Sequence, residues 1–197
     1  MRVAETDLAD VLLFLPTPHR DERGLFTRTF DTVIAAEHGL PQFVQDSQSR
    51  SVRGVLRGLH GRSGRGEAKM VRCARGAVHD VLVDIRPGSP TYARHAAFRL
   101  DDVDFAHLYV PPGFLHGFQA LTDIADVCYR IDAPHDPTED VAVRYDDPDL
   151  GIDWPLPVNI VSDRDARAGS FAALSAAHGD RGRRCPPRAA RTGARGG

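Results

Sequence analysis

The sequence predicts an all-β domain, a sandwich or barrel with a few short peripheral helices. Short runs of β-branched and other apolar residues recur along the chain, separated by clusters of Gly, Pro, Asp or Ser. Helical patterns are few, and all-β chains of about this length commonly stay undivided. We therefore expect a single domain over residues 1–176, followed by a tail over residues 177–197.

The first predicted elements are a helix and a strand. Asp31 to His38 has a helical pattern that Gly39 and Pro41 would close. Val55 to His60 is expected to be a strand, in which Gly54 and Gly58 permit a close backbone approach or a bulge. A bulge is a suitable place to direct a side chain such as His60.

Further strands follow along the chain. Val78 to Ile85 alternates and ends at the turn signal Arg86-Pro87-Gly88, which indicates a half-buried strand. Shorter strands are predicted at Lys69 to Cys73, Ala96 to Leu100, His107 to Val110, Val127 to Ile131 and Val141 to Tyr145. A second short helix is expected at Ser170 to Ala177, and neither helix is expected to carry chemistry.

Charge and composition restrict the partners. From Gly179 onward the chain has six arginines and one aspartate, so the preceding 178 residues are acidic overall. An acidic body is a poor general binder of nucleic acid, and the Arg- and Gly-rich tail is expected to be disordered. There is no apolar run long enough to cross a bilayer, and Glu5, Asp7 and Asp10 stand where a signal peptide would be basic and then apolar. We expect a cytoplasmic protein that binds neither nucleic acid nor membrane.

The sequence lacks the motifs that mark several kinds of site. The three cysteines are odd in number and widely spaced, which argues against a disulfide scaffold and a zinc cluster. The sequence has no phosphate-binding glycine loop and no GxSxG elbow.

The segment from Val55 to Lys69 is the best candidate for chemistry. It contains a cation, Arg57, a titratable base, His60, and the single lysine of the chain, Lys69. Histidine can act as a general base near neutral pH, and an ammonium can stabilise a developing anion. Taken alone, His60 could equally be a hydrogen-bonded barrel residue and Lys69 a solvated charge.

Seven segments in order give the chain a family resemblance. They are Asp21-Glu22-Arg23-Gly24-Leu25-Phe26, Gly54-Val55-Leu56-Arg57-Gly58-Leu59-His60, Lys69-Met70-Val71-Arg72-Cys73, Val83-Asp84-Ile85-Arg86 with Ser89-Pro90-Thr91-Tyr92, Pro112-Gly113-Phe114-Leu115-His116-Gly117-Phe118, Asp147-Pro148 with Trp154-Pro155-Leu156, and Ser162-Asp163-Arg164-Asp165. Together they resemble the dTDP-4-dehydrorhamnose 3,5-epimerase family, from about residue 10 to residue 171. The resemblance implies a cupin-type β jelly roll, a homodimer, no metal or other cofactor, and a nucleotide-activated 4-keto-6-deoxyhexose as substrate.

The resemblance also implies catalytic roles. His60 matches the base of the family, and Asp165 matches the carboxylate that orients it. Tyr129 matches the acid on the opposite face of the sugar, and a phenol of ordinary pKa near ~10 keeps its proton at neutral pH. Lys69 matches a residue that would stabilise charge at the C4 oxygen. Without the His60 match, Tyr129 would read as a strand aromatic packed on the core.

Binding residues are implied in the same way. Arg23 and Arg57 match positions at the diphosphate, while Phe26 and Gln45 match positions near the base. His116 matches a residue of the sugar pocket, although it could equally be a satisfied barrel histidine. Many cupins hold a metal with an HxH pair, a later Glu and a later His. Here Gly61-Arg62 follows His60, so only Glu67 and His116 remain as isolated candidates and we predict no metal.

Three positions depart from the family pattern. Arg28 stands where glutamate is usual, Ser47 where asparagine is usual, and His135 where a second tyrosine is usual. Ser47 and His135 stay candidate substrate contacts, and the change at His135 makes inversion at C3 alone a serious alternative to inversion at C3 and C5. Two other functions stay open, a catalytically silent cupin that binds a nucleotide sugar and a sugar ketoisomerase.

Overall fold

The computed structural model describes the backbone of residues 1–183 and the side chains of residues 1–177. The strands are β1 (Arg2–Glu5), β2 (Leu12–Leu15), β3 (His19–Asp21), β4 (Gly24–Phe26), β5 (Gln45–Val52), β6 (Leu56–Arg62), β7 (Lys69–Arg75), β8 (Ala77–Asp84), β9 (His95–Asp101), β10 (His107–Val110), β11 (Phe114–Ala120), β12 (Ile124–Ile131) and β13 (Asp140–Ala142). The helices are α1 (Thr32–Glu37), α2 (Asp163–Ala166) and α3 (Phe171–Arg183). None of the described helices is long and apolar enough to cross a membrane.

Two antiparallel sheets form the body of the protein. One has six strands in the order β1-β2-β10-β7-β12-β5, and the other has five in the order β13-β6-β11-β8-β9. Strands β3 and β4 form a separate hairpin. The prediction of an all-β fold with a few short helices is therefore confirmed.

The buried side chains form three clusters that follow from this layering. The largest lies between the sheets and includes Val71 and Val127 from one sheet and Leu82 and Phe118 from the other. A second lies behind the five-stranded sheet, where Leu59, Val83 and Leu115 pack against the C-terminal segment around Phe171. A third lies behind the six-stranded sheet, under α1. Both sheets are thus covered on their outer faces as well.

Predicted and observed elements agree best where a local signal is strong. Helix α1 begins where Asp31 accepts hydrogen bonds from the Val33 and Ile34 N–H groups at 2.9 and 3.3 Å. The strand predicted at Val78 to Ile85 is β8, but it is buried on both faces. The prediction of a half-buried strand was wrong because the C-terminal segment covers the outer face of its sheet.

Elements with weak apolar patterns were not predicted from the sequence. Strand β5 has the sequence QDSQSRSV, which shows little hydrophobic alternation. It lies at the edge of its sheet and pairs with β12 alone. Strands β1 to β4 and β11 and the one-turn helix α2 were also not predicted. Helix α3 extends past the predicted domain end near Ala177, and residues 184–197 of the predicted tail lie outside the described residues.

Candidate active site

A cavity of about 630 Å³ opens between the two sheets. The five-stranded sheet contributes residues of β6 and β11, the six-stranded sheet contributes residues of β7 and β12, and the segment through α2 closes one side. Its polar lining consists of Arg57, His60, Lys69, His116, Tyr129, Ser162, Arg164 and Asp165. Six of the eleven predicted site residues are therefore brought together in one cavity.

The position of His60 depends on an irregularity in β6. His60 pairs in register with His116 on β11, and the register shifts between His116 and Phe118. The shift lies opposite Gly58, where a Cβ atom would stand 2.5 Å from Cα of Gly117. Only glycine permits this approach, so the predicted irregularity at Gly58 is confirmed.

Asp165 lies directly behind His60. One carboxylate oxygen is 2.7 Å from Nε2 of His60, and the other accepts the Gly58 N–H at 3.2 Å. The Asp165 side chain is 4% exposed, whereas that of His60 is 37% exposed. An ionised carboxylate can only accept, so it holds the imidazole proton on Nε2 and leaves Nδ1 as the basic atom.

Helix α2 fixes Asp165 in this position. The Ser162 hydroxyl accepts the Asp165 N–H at 3.1 Å and caps the helix. Just before the helix, Ile160 forms a parallel bridge with Val55 and its carbonyl accepts the Leu56 N–H at 3.0 Å. These bonds join α2 to the start of β6, the strand that carries His60.

Tyr129 approaches the cavity from the other sheet. It lies on β12, and its hydroxyl is 3.2 Å from the Ser49 hydroxyl on β5. Burial raises the pKa of the Tyr129 phenol, while the Ser49 hydrogen bond opposes this in part. The phenol is therefore fully protonated at neutral pH and can donate a proton into the cavity.

Lys69 stands at the start of β7, opposite Ile131 of β12. Its ammonium is 2.8 Å from a carboxylate oxygen of Glu67, and its side chain is 14% exposed. The same Glu67 carboxylate lies 3.1 Å from Nε of Arg62. The cavity therefore contains a cation that is paired with a nearly buried carboxylate.

His116 belongs to a second histidine–carboxylate pair. Its Nε2 is 2.8 Å from Asp80 on β8, and both side chains are buried. Its ring also lies 6.2 Å from that of Tyr129 in an edge-on arrangement. Asp80 was not predicted as a site residue, because a charged residue within an alternating strand is expected to face solvent.

Of the predicted nucleotide-binding residues, one lines the cavity and two lie on the neighbouring strand β5. Arg57 lines the cavity, bonded to Ser51 and to the Arg50 carbonyl at 3.0 and 3.1 Å. Gln45 and Ser47 do not line the described cavity, but they share the face of β5 that carries Ser49. Arg164 lines the cavity and was missed, although it immediately precedes Asp165.

Arg23, Phe26 and His135 lie elsewhere. Arg23 forms an ion pair with Asp21 on the exposed β3–β4 hairpin, and Phe26 is 71% exposed there. His135 is exposed, and its Nδ1 is 3.1 Å from the Arg62 guanidinium instead of facing the cavity. This candidate substrate contact therefore does not line the described cavity. Arg28, one of the three positions that depart from the family pattern, forms an ion pair with Asp31 at 2.6 Å.

The arrangement suits proton transfer at carbon. A base and a protonated phenol face one cavity from different sheets, and an ammonium stands on the same wall as the phenol. In the part of the chain that the structure describes, no three His, Cys, Asp or Glu side chains are grouped as a metal site.

Comparison with known proteins identifies similar chains. The family model for dTDP-4-dehydrorhamnose 3,5-epimerase matches residues 5–173. A dTDP-4-dehydrorhamnose 3,5-epimerase of Methanothermobacter thermautotrophicus is 43% identical over 168 residues, 83% of this chain and 91% of the relative. A dTDP-4-dehydrorhamnose 3-epimerase of Streptomyces niveus is 41% identical over 171 residues, 85% of this chain and 83% of the relative.

A solved structure adds the comparison of folds. The dTDP-6-deoxy-D-glucose-3,5-epimerase of Legionella pneumophila, in complex with dTDP-4-keto-L-rhamnose, is 36% identical and has a TM-score of 0.85. The match covers 89% of this chain and 95% of that one. The cupin-type jelly roll that the sequence resemblance implied is confirmed.

Proposed function

Since the chain belongs to the dTDP-4-dehydrorhamnose 3,5-epimerase family, and is thus an isomerase, we propose that its substrate is dTDP-4-keto-6-deoxyglucose. The reaction inverts C3, with or without C5. One observation carries the proposal: His60 and Tyr129 enter the same cavity from different sheets. Inversion at a carbon next to a ketone needs a base on one face of the ring and an acid on the other, whereas simple binding needs neither.

His60 is the proposed base. Nδ1 takes the proton from C3, the C–H electron pair moves into a C3–C4 double bond, and negative charge develops on the C4 oxygen. Asp165, 2.7 Å from Nε2, stabilises the imidazolium that forms. Because Asp165 is buried and also bonded to Gly58, its charge is held in place before the reaction.

Lys69 and Tyr129 complete the proposed inversion. The Lys69 ammonium stabilises the enolate oxygen, which is the position where charge develops in the transition state. Tyr129 then gives its phenolic proton to C3 from the other face, and the enolate electron pair forms the new C–H bond. The phenolate then regains a proton from water and the His60 imidazolium releases one to water, which restores both groups. The same cycle at C5 would give the double epimer.

Two cavity arginines are suited to the diphosphate. Arg57 and Arg164 line the cavity, and a guanidinium can hold two phosphate oxygens at once. Arg164 is already paired to Asp140 at 2.9 Å, which leaves Arg57 as the cation with uncharged hydrogen-bond partners. We assign Arg57 the larger share of diphosphate binding.

A homodimer would reconcile Arg23 and Phe26 with their expected role. Both lie on the exposed hairpin and neither lines the described cavity. If they contact the nucleotide, they do so in the cavity of a second copy. Gln45 and Ser47, on the edge strand β5, would then meet the nucleotide beside that hairpin.

The function is tested by incubating the purified protein with dTDP-4-keto-6-deoxyglucose and following the sugar ring by proton NMR. Epimerisation predicts new ring coupling constants and a keto group that stays at C4. Migration of the keto group to C3 would mean a ketoisomerase. Saturable binding of dTDP without any change in the sugar would mean a silent binding protein.

The dimer is tested by mixing two variants that are each impaired. Arg23→Ala removes the hairpin cation and His60→Asn removes the base. If the hairpin acts in the partner's cavity, each mixed dimer regains one intact site, so an equimolar mixture recovers about a quarter of wild-type activity, by random pairing of subunits. A mixture with no gain over the average of the two variants would place Arg23 in its own cavity or outside the reaction.

A further inference from the structure

We propose that Glu67 is a positioning residue that fixes the ammonium of Lys69 in the cavity and couples it, through Arg62, to the loop after β12. The inference rests on the proposed function, because Lys69 is there the cation at the enolate oxygen. Neither Glu67 nor Arg62 lines the described cavity. Their effect on the reaction would therefore be transmitted through Lys69.

The contacts form a chain of alternating charge. One Glu67 oxygen is 2.8 Å from Nζ of Lys69, and the other is 3.1 Å from Nε of Arg62. All three side chains are largely buried, at 14% exposed for Lys69, 10% for Glu67 and 3% for Arg62. A single carboxylate thus compensates two cations that are mostly removed from water. Removing it would leave both without their counter-charge.

Arg62 extends this chain to the loop. One guanidinium nitrogen donates to the Pro134 carbonyl at 2.7 Å, and another lies 3.1 Å from Nδ1 of His135. Arg62 is the last residue of β6, so the bonds hold the loop against the end of the strand that carries His60. His135 is kept at the outer end of this network, away from the cavity.

Other charged groups surround Lys69 without replacing Glu67. The titratable or charged side chains that line the cavity with it are Arg57, His60, His116, Tyr129, Arg164 and Asp165. Asp165 is engaged by His60 and Gly58, and the nearby Asp132 by Arg65 and the Ala68 N–H. Among the described residues, Glu67 is the carboxylate in ion-pair contact with the lysine.

The test uses the fact that the chain contains a single lysine. Protein without a tag, labelled at the lysine Cε with carbon-13, gives one side-chain signal, which reports Lys69 whether or not turnover occurs. In Glu67→Gln the Lys69 signal is expected to change its chemical shift, and its carbon-13 relaxation is expected to report greater side-chain motion than in the wild type, because the ammonium loses the carboxylate that it contacts at 2.8 Å. Glu139→Gln, which changes a carboxylate outside the described cavity lining, should leave both the signal and the relaxation unchanged.

Kinetics supply the second readout. Glu67→Gln is expected to lower kcat on dTDP-4-keto-6-deoxyglucose 10- to 100-fold and to leave KM within about threefold. Arg62→Gln keeps the Glu67–Lys69 contact, so its kcat should fall less. Glu67→Gln should also lower thermal stability, because it leaves the buried Arg62 guanidinium without its ion-pair partner. In the double variant Glu67→Gln/Arg62→Gln that guanidinium is gone, so thermal stability should return toward the wild-type value while kcat stays low.

The outcomes separate this inference from the proposed function. An identical Lys69 signal and relaxation in wild type and Glu67→Gln overturns the positioning role even if the enzyme is active. A changed signal with greater side-chain motion, in a protein that does not turn over the sugar, supports the contact and overturns the proposed reaction. A double variant that recovers both stability and kcat would mean that Glu67 acts only by neutralising Arg62.

Discussion

Replacing Asp165 by asparagine should slow the reaction with little effect on binding. In the wild type, the carboxylate accepts from both Nε2 of His60 and the Gly58 N–H, so it is an acceptor on both oxygens. An amide has one acceptor and one donor end. If its oxygen keeps the Gly58 N–H, its NH₂ group donates to Nε2, and the imidazole proton must move to Nδ1. The basic atom is then blocked.

The expected fall in kcat follows from two free-energy losses. The bond between the imidazolium and a buried carboxylate is charge-assisted and contributes about 3 kcal/mol. Restoring the reactive tautomer costs about the free energy of one neutral hydrogen bond, ~1 kcal/mol. The sum of about 4 kcal/mol corresponds to a roughly 10³-fold lower kcat. KM should change by less than about threefold, because Asp165 lies behind His60 instead of contacting the nucleotide.

The assay is the initial rate of formation of the epimerised sugar, followed by NMR over a range of substrate concentrations. Asp163→Asn is the matched control, since Asp163 lies on the same short helix with its side chain 93% exposed. It should retain wild-type kcat. A kcat of Asp165→Asn within threefold of the wild type, in a protein with unchanged thermal stability, would refute the role of the His60–Asp165 pair.

Two further predictions concern stability. Burial, with Arg72 and Arg130 nearby, lowers the pKa of His107 to about 4. On acidification the unfolded chain therefore takes up this proton before the folded protein does. The contribution of His107 to the free energy of unfolding is fully present above about pH 6.5 and is lost between pH 6.5 and 4. The free energy of unfolding measured by urea titration should fall by about 2 kcal/mol from this group between pH 7 and pH 5, and an equal fall in His107→Gln would contradict the assignment. Gly58→Ala should destabilise by about 3 kcal/mol, since its Cβ would overlap the Gly117 backbone. Gly88→Ala, also at positive φ but with no atom within 4 Å, should lose only about 1 kcal/mol, and equal losses in the two variants would mean that the contact with Gly117 is unimportant.

The sequence predicted the fold class because strand periodicity and turn residues are local signals. The core strands β7, β8 and β12 have clear apolar runs, and helix α1 has an identifiable cap in Asp31. Strand β5 was not predicted, since pairing to β12 rather than its own residues makes it a strand. The extent of burial on β8 also depends on the C-terminal segment, which no local pattern in β8 reveals.

The site was predicted through motifs that match the family pattern. Asp80 and Glu67 were not predicted, because they lie outside those motifs. Asp80 and Glu67 become significant only through partners brought together by strand register, His116 across the β8–β11 pair and Lys69 near the start of β7. The contact of His135 with the substrate stays a prediction, since His135 lies against Arg62, outside the described cavity lining. A family pattern indicates which residue type is usual at a position, but the conformation of a loop depends on tertiary contacts such as the one between Arg62 and His135, which the pattern does not show.

The central claim is that an acid and a base act from opposite faces of the sugar, and solvent exchange tests it most directly. dTDP-4-keto-6-deoxyglucose is incubated in deuterated water with wild type, His60→Asn or Tyr129→Phe, and deuterium at C3 and C5 is followed by proton NMR together with the ring couplings. We predict exchange with inversion for the wild type, no exchange for His60→Asn, and exchange at C3 without inversion for Tyr129→Phe. Full inversion by Tyr129→Phe, or continued exchange in His60→Asn, would contradict the account.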